Sequence, residues 1–77
     1  MEPIMPELEI VTEVAGRVCT LATARGARVG AGDDVVVVEA MKMEIPAAAP
    51  AAGIITSILV NVDDLVGEGQ VVAILQT

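Results

Sequence analysis

Short apolar runs rich in Val, Ile and Leu follow one another along this chain, with polar residues alternating through many of them. Glycine clusters interrupt the runs every eight to twelve residues or so, a rhythm typical of strands joined by tight turns. No stretch sustains the three-to-four-residue recurrence of an amphipathic helix. The pattern predicts strands at 8–14, 17–24, 27–30, 34–40, 43–49, 54–61, 64–67 and 71–76. Eight short strands without helices imply an all-β fold, either two small antiparallel sheets face to face or a flattened barrel.

The pattern also repeats. Residues 14–38 align without a gap on residues 51–75, an offset of 51 − 14 = 37. Ala15, Gly16, Val29, Gly30, Gly32 and Val35 meet Ala52, Gly53, Val66, Gly67, Gly69 and Val72 as identities. Val18, Leu21, Val37 and Val38 meet Ile55, Ile58, Ile74 and Leu75 as apolar equivalents, and Glu7-Leu8 meets Glu44-Ile45. Two copies of one unit therefore join near Met41-Lys42. Gly16 and Gly53 are expected at equivalent turns, where positive φ is tolerated. Gly30-Ala31-Gly32 and Gly67-Glu68-Gly69 mark a second pair of turns.

Two stretches break the simple rules. Val35-Val36-Val37-Val38 and its mate Val72-Ala73-Ile74-Leu75 are apolar on both faces. Such runs need cover on both sides or form a docking surface, and cover by neighbouring strands and the N-terminal segment is the expectation. The joint at Met41-Lys42 lacks the Asn-Gly or Asp-Gly of a tight hairpin. If the bend lies there, it carries backbone strain of about 1–3 kcal/mol. Residues 1–7, with Pro3 and Pro6, are expected to form an extended tail ahead of one domain over 8–77.

Composition narrows the possible functions. The 77 residues are 55% hydrophobic and include no aromatic residue, so the core is aliphatic and no stacking platform exists. A domain of this size buries only about 60% of its unfolded surface. The net charge of −7 opposes binding to nucleic acid and to anionic membranes. No apolar run is long enough to span a bilayer, no secretory signal is evident, and the cytoplasm is the default compartment. Cys19 is read as a small core hydrophobe. With no His, no metal-ligand cluster and no evident carboxylate pair in a cleft, no catalytic residue and no metal site are assigned. Arg17, Arg25 and Arg28 are read as solvated surface charges.

Lys42 is the only lysine, within Glu39-Ala40-Met41-Lys42-Met43-Glu44. A single primary amine at the joint of a repeat is one chemically addressable point, suited to attachment rather than catalysis. The flanking methionines are flexible and polarisable and can fill a partner's pocket in several ways. Glu39 and Glu44 bracket the tip and are expected to keep the ammonium charged and soluble.

The motif Glu39-Ala40-Met41-Lys42-Met43, the following Ala49-Pro50-Ala51-Ala52-Gly53 and the glycine turns on both sides resemble the biotinyl domain of biotin-dependent carboxylases and decarboxylases. The resemblance covers residues 8–76 and is nearest to stand-alone, single-domain biotin carboxyl carrier proteins. It implies two four-stranded antiparallel sheets related by a quasi-two-fold axis, with Lys42 in the exposed turn. It further implies a non-catalytic carrier in which a biotin protein ligase joins biotin to Lys42 through an amide. Met41, Met43, Glu39 and Ala40 complete the implied attachment site. A biotin carboxylase and a carboxyltransferase are the implied partners, with an acyl-CoA type acceptor expected. Asp63, mate of Gly26, and Ala27 depart from the family pattern, and the chain near Thr23-Ala24-Arg25 is too short for the protruding thumb of some carriers. The alternatives are a lipoyl carrier, whose lysine neighbours resemble Asp-Lys-Ala, and an unmodified binding or scaffold module using the valine-rich face.

Overall fold

β-branched residues crowd a helix but lie comfortably on a pleated sheet, and they dominate the segments that become extended here. The structure, a computed structural model, describes residues 7–77. Eight strands form: β1 (Glu7–Val11), β2 (Gly16–Leu21), β3 (Arg28–Val29), β4 (Asp34–Ala40), β5 (Met43–Ala48), β6 (Gly53–Ile58), β7 (Leu65–Val66) and β8 (Val71–Gln76). Every predicted strand is present, most of them shorter by one to three residues at an end. The tail expected over 1–7 lies, for residues 1–6, outside the described residues, and Glu7 opens β1.

The strands form two four-stranded antiparallel sheets, ordered β1-β8-β6-β3 and β5-β4-β2-β7. Shifting residue numbers by 37, upward for β1 and β3 and downward for β8 and β6, turns the first order into the second. The turns obey the same operation. Ala49 N–H donates to the Asp33 carbonyl and Thr12 N–H to the Gln70 carbonyl. Gly30 N–H donates to the Asp33 carboxylate at 2.8 Å, and Gly67 N–H to the Gln70 side-chain oxygen at 2.9 Å. Gly32 and Gly69 take φ of 88° and 80°, which glycine reaches without a Cβ penalty.

The doubly apolar runs are explained by β-bulges. In β4, Asp34 faces Ala48 and Val36 faces Ala47, so Val35 is an extra residue. In β8, Val72 is extra in the same way against β1. A bulge turns two successive side chains toward one side. Val35, Val36, Val38, Val72, Ala73 and Leu75 are consequently all fully buried between the sheets, while Val37 and Ile74 are half-buried. The runs are mainly core, and the cover expected from the N-terminal tail falls on residues outside those described.

A second pair of bulges corrects the reading of Cys19. This residue is half-buried and is the extra residue of β2 against β4. Its Sγ donates to the Val37 carbonyl at 3.4 Å, as Thr56 Oγ1 donates to the Ile74 carbonyl at 3.3 Å in the other copy. Cys19 therefore serves as a weak hydrogen-bond donor at a bulge, where Thr56 shows that a hydroxyl fits the equivalent place.

Gly16 and Gly53 are likewise not turn residues with positive φ. They open β2 and β6, and a Cβ on either would overlap a backbone oxygen, of Glu39 and of Gln76 respectively. Close approach of neighbouring strands is what requires glycine there.

Candidate functional site

Residues 40–43 form the hairpin at one pole of the molecule. Ala40 and Met43 are the last facing pair of β4 and β5, leaving Met41 and Lys42 as a two-residue turn. Both have positive φ, 52° and 66°, as a type I′ turn demands. Neither residue type favours the left-handed region, which costs roughly 1–2 kcal/mol per residue. The rest of β4 and β5 holds them there through a six-pair register anchored in the valine core. The strain lies at the joint where the repeat placed the bend: Met41→Asn should stabilise the domain by up to about 1 kcal/mol, because Asn tolerates this backbone. Denaturant unfolding of the two proteins checks that value.

Lys42 is exposed, and Met41 and Met43 beside it are 96% and 63% exposed. Among the described residues, no carboxylate lies within ion-pair distance of the Lys42 ammonium. Glu39 and Glu44 do bracket the tip, but neither is an ion-pair partner of the lysine. They face each other across β4 and β5, below the tip. Like charges placed directly opposite are unfavourable, and a cation on the next strand relieves them. Arg17 of β2 faces Glu39, and its Nη2 donates to Glu39 Oε1 at 3.4 Å.

Arg17 also corrects its own reading as a merely solvated charge. Its Nη1 donates to Asp63 Oδ1. The bond to Asp63 first, and that to Glu39 second, hold the guanidinium above its ordinary pKa. Asp63 occupies a left-handed position, φ 77°, equivalent to Gly26 at 87°. Sequence reasoning noted the departure at Asp63 but not this cluster. The signal available was the 37-residue offset, which matches Arg17 with Ile54 and Asp63 with Gly26, so each position is charged in one copy alone, Arg17 in the first and Asp63 in the second. Arg25 and Arg28 are exposed, with Arg28 at the rim of a shallow apolar recess of about 400 Å³ beside Ile54 at the other pole.

The structure thus brings Glu39, Ala40, Met41, Lys42 and Met43 onto one hairpin whose foot is clamped and whose tip is free. Among the described residues no group of side chains could hold a metal ion. A pair of sheets that presents, among the described residues, one unpaired primary amine has the form of a carrier domain. The family model described as "Biotin-requiring enzyme" matches residues 5–75, and the chain belongs to that biotin/lipoyl family. It is 34% identical over 67 residues to the "Biotinylated protein TB7.3 homolog" of Mycobacterium leprae, covering 87% of this chain and 94% of that one. It is 42% identical over 64 residues to the "Biotin-dependent acyl-coenzyme A carboxylase alpha3 subunit" of the same organism, covering 83% of this chain but 11% of that protein. The Kluyveromyces lactis urea carboxylase structure superposes with a TM-score of 0.88 at 33% identity, over 97% of this chain and 7% of that one. This chain is a biotin-carrier domain of the kind found in biotin-dependent carboxylases, a non-catalytic unit whose family requires biotin.

Proposed function

We propose that Lys42 is the point of biotin attachment and that the domain shuttles between a biotin carboxylase and a carboxyltransferase. The observation that carries this reading is the unpaired Lys42 ammonium at the tip of a two-residue turn. The residues fit a covalent group: the amine is unpaired among the described residues, and the turn that carries it leaves the side chain exposed. A biotin protein ligase, in this reading, closes around Lys42 with Met41 and Met43 filling its pocket. The ligase must take a proton from the ammonium before the amine can attack. Once joined, biotin supplies the capacity to carry a carboxyl group from one partner's site to the other's. The chain's part is to hold the attachment point still and bring it to each partner, which raises the local concentration of the arm. The acceptor we propose is an acyl-CoA, following the resemblance to the acyl-coenzyme A carboxylase subunit. The compartment we propose is the cytoplasm, following the sequence reading alone.

Intact mass after co-expression with a biotin protein ligase tests the attachment. The expected result is a single biotinyl addition, located at Lys42 by fragmentation. An unmodified mass, or a lipoyl addition when a lipoate ligase is supplied instead, would overturn it.

A further inference from the structure

Oxidisable chemistry in this chain is confined to sulfur. There is no aromatic residue and no histidine, so the side chains open to mild oxidation are Cys19, Met1, Met5, Met41 and Met43. Of the three that the structure describes, Cys19 is half-buried at its bulge, with Sγ donating to the Val37 carbonyl. Met41 and Met43 are the exposed ones, and they stand on either side of Lys42. Among the described residues, exposed sulfur therefore occurs at the point of attachment and nowhere else.

The fold does not account for a methionine at residue 41. At 96% exposure its thioether adds almost no packing, and its φ of 52° is one that the residue type disfavours. What methionine offers in such a place is a soft apolar tip that one oxygen atom makes polar. Sulfoxide formation turns a flexible apolar side chain into a polar, chiral one, and reductases undo it. Susceptibility follows exposure, and both thioethers here are open to solvent.

We propose that Met41 and Met43 form a reversible oxidation site whose sulfoxides block biotin attachment at Lys42. The inference rests on the reading of Lys42 as the attachment point. The oxidant is a hydroperoxide. A lone pair of the thioether attacks the outer peroxide oxygen, and the O–O bond breaks as the S–O bond forms. The sulfur gives up two electrons, and hydrogen peroxide leaves as water. In the reverse direction a methionine sulfoxide reductase removes the oxygen as water while two thiols become a disulfide. A ligase pocket that accepts two apolar tips must instead desolvate two S–O dipoles, and a buried polar group without a partner is costly. Oxidation changes no charge and leaves the bonds of Arg17 to Glu39 and Asp63 in place, so the foot of the hairpin holds.

The test uses the full chain carrying Cys19→Thr, so that methionine holds all the sulfur; Thr56 shows that the fold accepts the hydroxyl. The protein is treated with hydrogen peroxide and followed by intact mass and peptide mapping. Met41 should take up oxygen first and Met43 next, at rates close to that of free methionine, and methionine sulfoxide reductase with dithiothreitol should remove it from both. Samples are then given to a biotin protein ligase. With both residues oxidised, kcat/KM for biotinyl addition should fall at least tenfold and return on reduction, while the thermal melt stays unchanged. The Met41→Leu/Met43→Leu protein, whatever its rate before treatment, should keep that rate after peroxide. Oxidation far slower than that of free methionine, a loss that the reductase does not reverse, or an equal loss in the double-leucine protein would overturn the assignment. If untreated protein takes biotin and oxidised protein takes it equally fast, this inference alone fails. If untreated protein takes none, the reading of Lys42 fails and this inference with it.

Discussion

Lys42→Arg should give a protein that folds as the wild type does and gains no mass in the presence of a biotin protein ligase. The loss is expected to be complete rather than graded, because the chain holds no other lysine to take over. Arginine keeps the positive charge and a similar stem, but its delocalised guanidinium does not form the amide. Residue 42 is exposed, its φ of 66° costs arginine about what it costs lysine, and no described partner is lost. Stability should therefore stay within about 0.5 kcal/mol of the wild type, the ordinary range for such surface changes. Intact mass and a thermal melt on the same sample separate the two statements. A biotinyl addition to the variant would remove Lys42 from its role. A collapse of the melt would show that the lysine supports the hairpin, which the unpaired ammonium argues against.

The hairpin shows what a sequence conveys and where it falls silent. Turn chemistry alone did not place a bend at Met41-Lys42; the 37-residue repeat did, and both residues have the positive φ that the bend requires. Repetition was legible because it survives in identities such as Gly30 with Gly67 and Val35 with Val72. The bulges were not legible. A bulge is a two-against-one mismatch between strands, and neither Cys19 nor Val35 signals alone which partner residue it will share. For the same reason Gly16 looked like a turn residue. Its glycine is required by the carbonyl of Glu39, twenty-three positions away along the chain, and no local rule contains that contact. The Arg17 cluster is also non-local, since it draws on β2, β4 and the connection after β6. What local pattern and internal repetition encode could be read; what cross-strand contact creates could not.

Replacing Gly16 by alanine should be the most damaging single-methyl change in the domain, with Gly53→Ala close behind. An added Cβ at residue 16 would overlap the Glu39 carbonyl oxygen and lie 3.0 Å from Val38 Cγ1. At residue 53 it would overlap the Gln76 carbonyl oxygen and lie 3.1 Å from Leu75 Cδ1. The first obstacle in each case is backbone, which cannot swing aside as a side chain can. Overpacking of a tight interior commonly costs about 1–3 kcal/mol, and a clash against backbone belongs at or above the top of that range. A domain of this length has only about 4–12 kcal/mol to lose. Gly67→Ala is the contrast: nothing lies within 4 Å of its added Cβ, and its φ is not in the left-handed region. It should stay within about 0.5 kcal/mol of the wild type. Denaturant unfolding of the three variants checks the ranking. The two damaging changes should then part company in function. Gly16 packs on Glu39, at the foot of the lysine hairpin, whereas Gly53 packs on Gln76 at the other pole. At temperatures where both variants remain folded, Gly16→Ala should slow ligation at Lys42, and Gly53→Ala should leave it near the wild-type rate. Equal ligation rates would mean that the turn keeps its shape independently of the strand beneath it.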